Sequence, residues 1–138
     1  MSEEQMWTAL RPSLKGLDPV RIENSLALGT PDVNYTEGWI ELKNVDKRPK
    51  KEETRIEVDH FTQDQRMWIA RRHQVAGRVH LLLRIEKTWL LFEPPNACIH
   101  VGNSNEAELR THAFAIWENV PDRVALLAAL RGTPPSGS

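Results

Sequence analysis

Two acidic residues and a lysine lie in a pair of short segments in which polar and apolar residues alternate. Between the segments, Glu37-Gly38 predicts a two-residue turn and therefore a β-hairpin. That turn sets the register, so Lys43 is expected opposite Asp32, with Glu41 on the diagonal from Asp32. The predicted strands are residues 32–36 and 39–43. Since side chains alternate along a strand, one face of the hairpin is polar and the other is apolar. The polar face comprises Asp32, Asn34, Glu41 and Lys43, and the apolar face comprises Val33, Tyr35, Ile40 and Leu42.

The polar face of this hairpin has the residue types of a site for a hard cation. Diagonal neighbours such as Asp32 and Glu41 have backbones roughly 7–8 Å apart, so both carboxylates can reach one ion. Mg²⁺ generally takes one or two carboxylates and completes its coordination with water and substrate phosphate. Lys43 is expected beside both carboxylates, where it can contact a phosphate or a metal-bound water. If the turn were one residue longer, different residues of the two strands would lie opposite each other.

The composition is that of an ordinary globular domain. The chain has 138 residues, of which 40% are hydrophobic and 27% are charged, and its formal net charge is −1. The overall charge therefore gives no indication of a nucleic-acid partner, and any basic surface must be local. We expect one domain over residues 1–132 and a disordered tail over residues 133–138.

Cellular location is indicated by three features. A single cysteine, Cys98, excludes an internal disulfide and favours a reducing compartment. The N-terminus is acidic and polar, unlike a signal peptide, and the longest apolar runs are too short to cross a bilayer. We therefore expect a cytoplasmic protein without a membrane partner.

The rest of the chain predicts helices that alternate with strands. Helices are expected at residues 2–11, 62–77, 103–110 and 121–131, and further strands at residues 20–24, 55–58, 79–85 and 88–92. The second helix begins with Thr62 and Gln65 in the spacing of a capping box. It leads into an apolar strand, which indicates a crossover into a buried sheet, and Pro94-Pro95 is expected to end the sheet. The pattern predicts an α/β fold with a mixed β-sheet flanked by helices.

A basic segment directly follows the hairpin. Its cations are Lys47, Arg48, Lys50 and Lys51, and Pro49 keeps the segment irregular. Two interpretations stay open, a solvated surface loop and a loop that contacts phosphates beside the polar face. Trp39, on the polar side of the hairpin, is the best candidate for stacking on an unpaired base.

At this point the motifs resemble those of a known family. Pro31-Asp32 followed by Glu41-Leu42-Lys43 resembles the bipartite motif of the PD-(D/E)XK nuclease superfamily. The residues at 21–24, 29–32 and 61–65 extend the likeness to small phage-encoded nucleases similar to VRR-NUC domains and Holliday junction resolvases. The resemblance covers residues 20–92 and leaves the N-terminal helix and the last third uncovered. It implies a restriction-endonuclease-like core.

The resemblance also implies a role for each motif residue. Asp32 and Glu41 would ligate Mg²⁺ or Mn²⁺, with the backbone carbonyl of Leu42 as a further ligand. Lys43 would position or help deprotonate the attacking water and stabilise negative charge on the phosphate. The chemistry needs this grouping, because a phosphodiester anion repels hydroxide and a metal both activates water and neutralises developing charge.

Two further residues match weaker positions of the family. Glu23 matches an upstream acidic position that some members use as an additional metal ligand, although a surface ion pair with Arg21 explains it equally well. Gln65 matches a helix glutamine that supports the active site in relatives. Its place in the capping box is a sufficient structural explanation, so a catalytic role for Gln65 stays one of two alternatives.

These observations predict a metal-dependent nuclease that cuts DNA, and its substrate stays open among branched DNA, a flap and plain duplex. A branched substrate would favour a homodimer, because two cuts need two symmetry-related sites. If the gene is phage-encoded, the expected location is the host cytoplasm. A second interpretation is a catalytically inactive nucleic-acid-binding module of the same fold. A third is an α/β domain whose polar hairpin face is coincidental.

Overall fold

The sheet consists of six strands whose order in space follows their order in the chain, β1-β2-β3-β4-β5-β6. The computed structural model describes residues 1–23 and 28–132. The strands are β1 (Val20–Arg21), β2 (Val33–Tyr35), β3 (Gly38–Val45), β4 (Val79–Ile85), β5 (Thr88–Phe92) and β6 (Ala115–Trp117). The helices are α1 (Glu3–Leu10), α2 (Gln63–Gln74), α3 (Asn96–His100), α4 (Glu106–His112) and α5 (Arg123–Leu130), and a 3₁₀ turn at Arg11–Leu14 follows α1.

The sheet is mixed because one pair of strands, β3 and β4, is parallel and the other neighbouring pairs are antiparallel. The parallel pair is connected through α2, which confirms the predicted crossover. An α/β fold with a mixed sheet flanked by helices is therefore the observed architecture. Within the described residues, no helix has the length and apolar character needed to cross a membrane.

Helices cover both faces of the sheet and create two hydrophobic cores. On one face, Met6 and Leu10 of α1 pack with α5 against the apolar residues of β2 and β3. On the other face, α2, α3 and α4 pack against the alternate residues of β4 and β5. Because β4 and β5 are buried on both faces, their sequences are almost continuously apolar.

The hairpin turn differs from the prediction. Tyr35 pairs with Gly38, so the turn residues are Thr36-Glu37, and the predicted Glu37-Gly38 turn is wrong. Gly38 instead lies where β3 meets the start of β4, and a Cβ there would lie 2.4 Å from the carbonyl oxygen of Arg78. The facing pairs thus shift by two residues. Since side chains alternate with period two, this shift keeps the predicted polar and apolar faces.

Other elements differ in extent. The strand expected at residues 20–24 is only Val20–Arg21, with residue 24 outside the described part, and the strand expected at 55–58 is a single bridge between Arg55 and Asn105. The helix expected at 103–110 begins at Glu106, with Asn105 as its N-cap. The sheet does not end at Pro94-Pro95, since β6 adds to β5. The short elements α3 and β6 were not predicted, because three to five residues carry too little periodicity. The expected tail at 133–138 lies outside the described residues.

Candidate active site

Asp32 and Glu41 lie face to face where β2 leaves β3. Val33 pairs with Ile40 in the ladder, so Asp32 and Glu41 form the next facing pair. Facing residues of antiparallel strands have Cα atoms about 4.5–5.5 Å apart, closer than the predicted diagonal. Beyond this point Asp32 replaces the strand as a partner of β3, because its Oδ2 accepts a hydrogen bond of 2.8 Å from the Leu42 backbone N–H. The corrected register therefore places Asp32 and Glu41 one step beyond the last ladder pair, where the Asp32 charge acts directly on Glu41.

Glu41 is a buried acidic side chain beside Lys43. Its side chain is 1% exposed, and within the described residues neither Oε1 nor Oε2 accepts a hydrogen bond. Lys43 Nζ lies 3.2 Å from Oε2, an ion-pair distance. Burial, reinforced by the Asp32 carboxylate, raises the pKa of Glu41 to about 9, and the neighbouring Lys43 only partly opposes this. Without a cation, burial therefore favours the protonated form of Glu41.

Lys43 is held in place from several directions. Its side chain is 2% exposed, and Nζ lies 3.9 Å from Glu3 Oε1. Nζ also donates a hydrogen bond of 3.0 Å to the backbone carbonyl of His60 and lies 5.6 Å from the centre of the Phe61 ring. The segment just before α2 thus fixes an ammonium group directly beside the two carboxylates.

Glu3, in the first turn of α1, is a member of this cluster that sequence reasoning missed. Burial and the Asp32 carboxylate raise the pKa of Glu3 from its ordinary value. In the sequence, an acidic residue in the first turn of a helix is sufficiently explained by the helix dipole. Nothing local therefore marks Glu3, and only the packing of α1 beside β3 brings it to Lys43.

Arg21 of β1 binds Asp32, so the predicted surface pair of Arg21 with Glu23 is not what the structure shows. Arg21 Nη1 lies 3.1 Å from Asp32 Oδ1. Among the described residues, each Asp32 oxygen has one donor, which leaves a further lone pair for another ligand. Glu23 is exposed. Among the described residues, no hydrogen bond or ion pair joins Glu23 to Asp32, Glu41 or Lys43.

Gln65 caps α2. Its side-chain oxygen accepts a hydrogen bond of 2.9 Å from the Thr62 N–H, and Thr62 Oγ1 accepts one of 3.2 Å from the Gln65 N–H. This is the predicted capping box. Gly29 lies against the same helix start, since a Cβ on Gly29 would lie 2.3 Å from the Asp64 carbonyl oxygen. The loop before β2 therefore packs on the residue that the family resemblance assigned to the site.

The Leu42 backbone can contribute to the same edge. Within a strand, the N–H and C=O of one residue point to the same neighbouring strand. Since the Leu42 N–H points to Asp32, its carbonyl points to that side of β3 as well. No group of three or more His, Cys, Asp or Glu side chains in residues 1–23 and 28–132 is placed to hold a metal. A cation here would rely on Asp32, Glu41, the Leu42 carbonyl and water.

In the basic segment after β3, the arginine forms contacts within the fold and the lysines are exposed. Arg48 forms ion pairs with Glu86 at 3.3 Å and Glu106 at 2.6 Å, and it also donates a hydrogen bond of 2.8 Å to Thr88 Oγ1. These partners anchor the segment toward β5, away from the Asp32 side of β3. The exposed cations of the segment are Lys47, Lys50 and Lys51. Arg48 is thus engaged within the fold, and the three lysines are available to solvent.

Comparisons with protein-family models, with curated proteins and with solved structures found no match for this chain.

Proposed function

We propose that this protein hydrolyses phosphodiester bonds of DNA with Mg²⁺ or Mn²⁺ as its cofactor. The observation that supports the proposal is the Glu41 carboxylate. It is buried beside Asp32 and, among the described residues, accepts no hydrogen bond of good geometry, although Lys43 Nζ lies 3.2 Å from Oε2. Buried polar atoms in folded proteins normally have partners, so such an exception needs an explanation. A divalent cation would coordinate the Glu41 carboxylate and favour its ionised form.

The residues fit such a cation. Asp32, Glu41 and the Leu42 carbonyl would hold it, which is the small set of oxygen ligands that Mg²⁺ commonly accepts from a protein. When bound, the metal would lower the pKa of a coordinated water and neutralise negative charge on the phosphate. The Leu42 N–H and Arg21 orient the Asp32 carboxylate for this role.

Lys43 would supply the positive charge that faces the substrate. Its ammonium is oriented by the His60 carbonyl, so Nζ can donate its remaining hydrogens to a phosphate oxygen or to the attacking water. Because Lys43 and Glu41 are almost fully buried, the interactions of their charges are stronger than they would be in bulk water. Glu3 lies at the more exposed side of Lys43 and can accept a proton or a hydrogen bond there.

The substrate would approach from the outer side of the cluster. Side-chain exposure rises from 1% at Glu41 and 2% at Lys43 to 17% at Asp32 and 41% at Glu3. The exposed Lys47, Lys50 and Lys51 are candidates for backbone phosphate contacts at a greater distance. Branched DNA, a flap and plain duplex are the candidate substrates, and a branched one would be cut by a homodimer.

The burial of Glu41 and Lys43 also favours a second candidate function, a nucleic-acid-binding module that does not cleave. In that case the buried pair would serve only the fold. Cleavage assays with single-stranded, duplex and four-way-junction DNA in Mg²⁺, Mn²⁺ or EDTA distinguish the two. Wild type is compared with Asp32→Asn and Lys43→Met. The matched control is Asp122→Asn, since Asp122 only caps α5 and asparagine caps equally well.

Metal-dependent cleavage that is lost in Asp32→Asn and Lys43→Met but kept in Asp122→Asn would support the nuclease. DNA binding without cleavage in either metal would support the binding module. A protein that neither binds nor cuts any of the three DNA forms would contradict both functions.

A further inference from the structure

A cleft of about 480 Å³ lies at the end of the sheet next to the candidate active site. Its walls are the turn between β2 and β3 and the turn between α2 and β4. Asn34 and Trp39, which line it, are a facing pair of the hairpin. They stand two residues from Asp32 and Glu41 along the strands, a separation of about 7 Å on the same face of the sheet. The cleft therefore continues the polar face that carries the candidate active site.

An aromatic and cationic surface forms one side of the cleft. Trp39 is half-buried and meets Trp68 edge to face, with ring centres 5.2 Å apart. The Arg72 guanidinium lies 4.4 Å from the centre of the Trp68 ring and 5.8 Å from that of Trp39. Indole rings and a guanidinium plane are the groups on which unpaired bases stack in nucleic-acid-binding proteins.

The charge of the cleft is suited to an anion. Neither Arg72 nor Arg78 forms an ion pair with a carboxylate in the described part of the chain, and Arg78 donates to the Leu130 carbonyl. Of the two acidic residues that line the cleft, Glu37 is paired with Arg131 at 3.0 Å. Asp18 is the other, and within residues 1–23 and 28–132 it forms no ion pair, so two arginines face one carboxylate without a cationic partner there. The balance of charge is positive.

We propose that this cleft binds an unpaired nucleotide of the DNA next to the bond that is cut. Its base would stack on the Trp39–Arg72 surface, and its phosphate would contact Arg72 or Arg78. A base inside a duplex is already stacked and paired, so the cleft would favour single-stranded or branched DNA over plain duplex. This inference rests on the proposed function, because that function identifies DNA as the ligand and the Asp32–Glu41 face as its reacting end.

Binding measured in EDTA tests the cleft without requiring cleavage. Fluorescence anisotropy with a labelled single-stranded oligonucleotide and the matching duplex compares wild type with Trp39→Leu, Trp39→Phe and Arg72→Gln. The control is Lys87→Gln, which removes a positive charge from the exposed turn at the opposite end of β4. Circular dichroism and thermal unfolding establish that each variant is folded.

Loss of one base–aromatic stack should weaken single-strand binding roughly 5- to 150-fold in Trp39→Leu, and Trp39→Phe should recover part of it. Arg72→Gln should weaken binding and lower the slope of log K against log salt by about 0.7, the value for one phosphate contact on a single strand. Duplex binding should change less, and Lys87→Gln should bind like wild type. If Trp39→Leu is unfolded, the binding measurements on Trp39→Phe and Arg72→Gln decide whether the cleft binds a nucleotide.

The outcomes separate this inference from the proposed function. Suppose that the cleft variants bind single strands more weakly but the wild-type protein cleaves DNA in neither Mg²⁺ nor Mn²⁺. This outcome would support nucleotide binding in the cleft and overturn the proposed nuclease activity. Metal-dependent cleavage with Trp39→Phe and Arg72→Gln binding as tightly as Lys87→Gln would overturn the cleft alone. Equal losses on single strand and duplex, or no binding to either DNA, would also overturn the cleft.

Discussion

Replacing Glu41 by glutamine should change how the stability of the metal-free protein depends on pH. The groups that face Glu41 are Asp32, which disfavours its ionisation, and Lys43, which favours it, with Glu3 beyond Lys43. Burial and Asp32 dominate, so the pKa of Glu41 is about 9 in the folded protein, against an ordinary value of 4.5. Between these pH values the folded state binds a proton that the unfolded state has released.

The sign and magnitude follow from proton linkage. The stability that neutral Glu41 contributes is fully present below pH 4.5 and is lost as the pH rises toward about 9. The loss is about 1.4 kcal/mol per pH unit in the middle of this window, because one proton is released on unfolding. From pH 6 to pH 8 it amounts to about 2.7 kcal/mol. Glutamine does not titrate, so the free energy of unfolding of Glu41→Gln should rise by that amount relative to wild type between pH 6 and pH 8.

Urea unfolding in EDTA at pH 6, 7 and 8 measures this difference. All other ionisable groups are common to both proteins, so their contribution cancels in the comparison. Glu4→Gln is the matched control, since Glu4 is an exposed residue on α1, and it should follow wild type. Parallel pH dependences for wild type and Glu41→Gln would refute the reasoning, because Glu41 would then be ionised in the folded protein throughout.

The same experiment with Mg²⁺ tests the proposed cofactor. Because a metal must displace the proton of Glu41, the cation should stabilise wild type more at pH 8 than at pH 6. It should have little effect on Glu41→Gln. Equal stabilisation of both proteins by Mg²⁺ would place its binding elsewhere.

Three further predictions concern single residues. Gly29→Ala should lose clearly more free energy of unfolding than Gly132→Ala. Both glycines have positive φ, but only at Gly29 would a Cβ lie 2.3 Å from a backbone oxygen. Equal losses of stability in urea unfolding would contradict this prediction. Gln65→Ala should lose about 1 kcal/mol of stability and Gln65→Glu much less, because glutamate preserves the capping box; cleavage lost in a stable Gln65→Glu would show that the amide also acts in catalysis. Burial, together with Arg78, lowers the pKa of His80 to about 4, so acid titration should destabilise wild type relative to His80→Phe as the pH falls from 6.5 toward 4; coincident acid-unfolding curves would refute this.

Elements that depend on local interactions could be predicted from the residues alone. The capping box at Thr62 marks a helix start because its hydrogen bonds close within four residues. The alternation along β2 and β3 assigned each side chain to a face of the sheet. This assignment is correct although the register differs from the prediction, because the register shift is two residues. For the same reason, Asp32, Glu41 and Lys43 could be grouped before any contact was known.

The tertiary structure decided what depends on residues far apart in the chain. Gly38 lies where β3 closely approaches Arg78, and the turn is formed by Thr36-Glu37 instead of Glu37-Gly38. In this register Asp32, and not a residue two positions away, is the one next to Glu41. Glu3 reached Lys43 through the packing of α1, across 40 residues of sequence. The burial that raises the pKa of Glu41 is likewise a property of the assembled layers. Residue types and periodicity encode which face a side chain takes, but its neighbours and its solvation exist only once the helices close over the sheet.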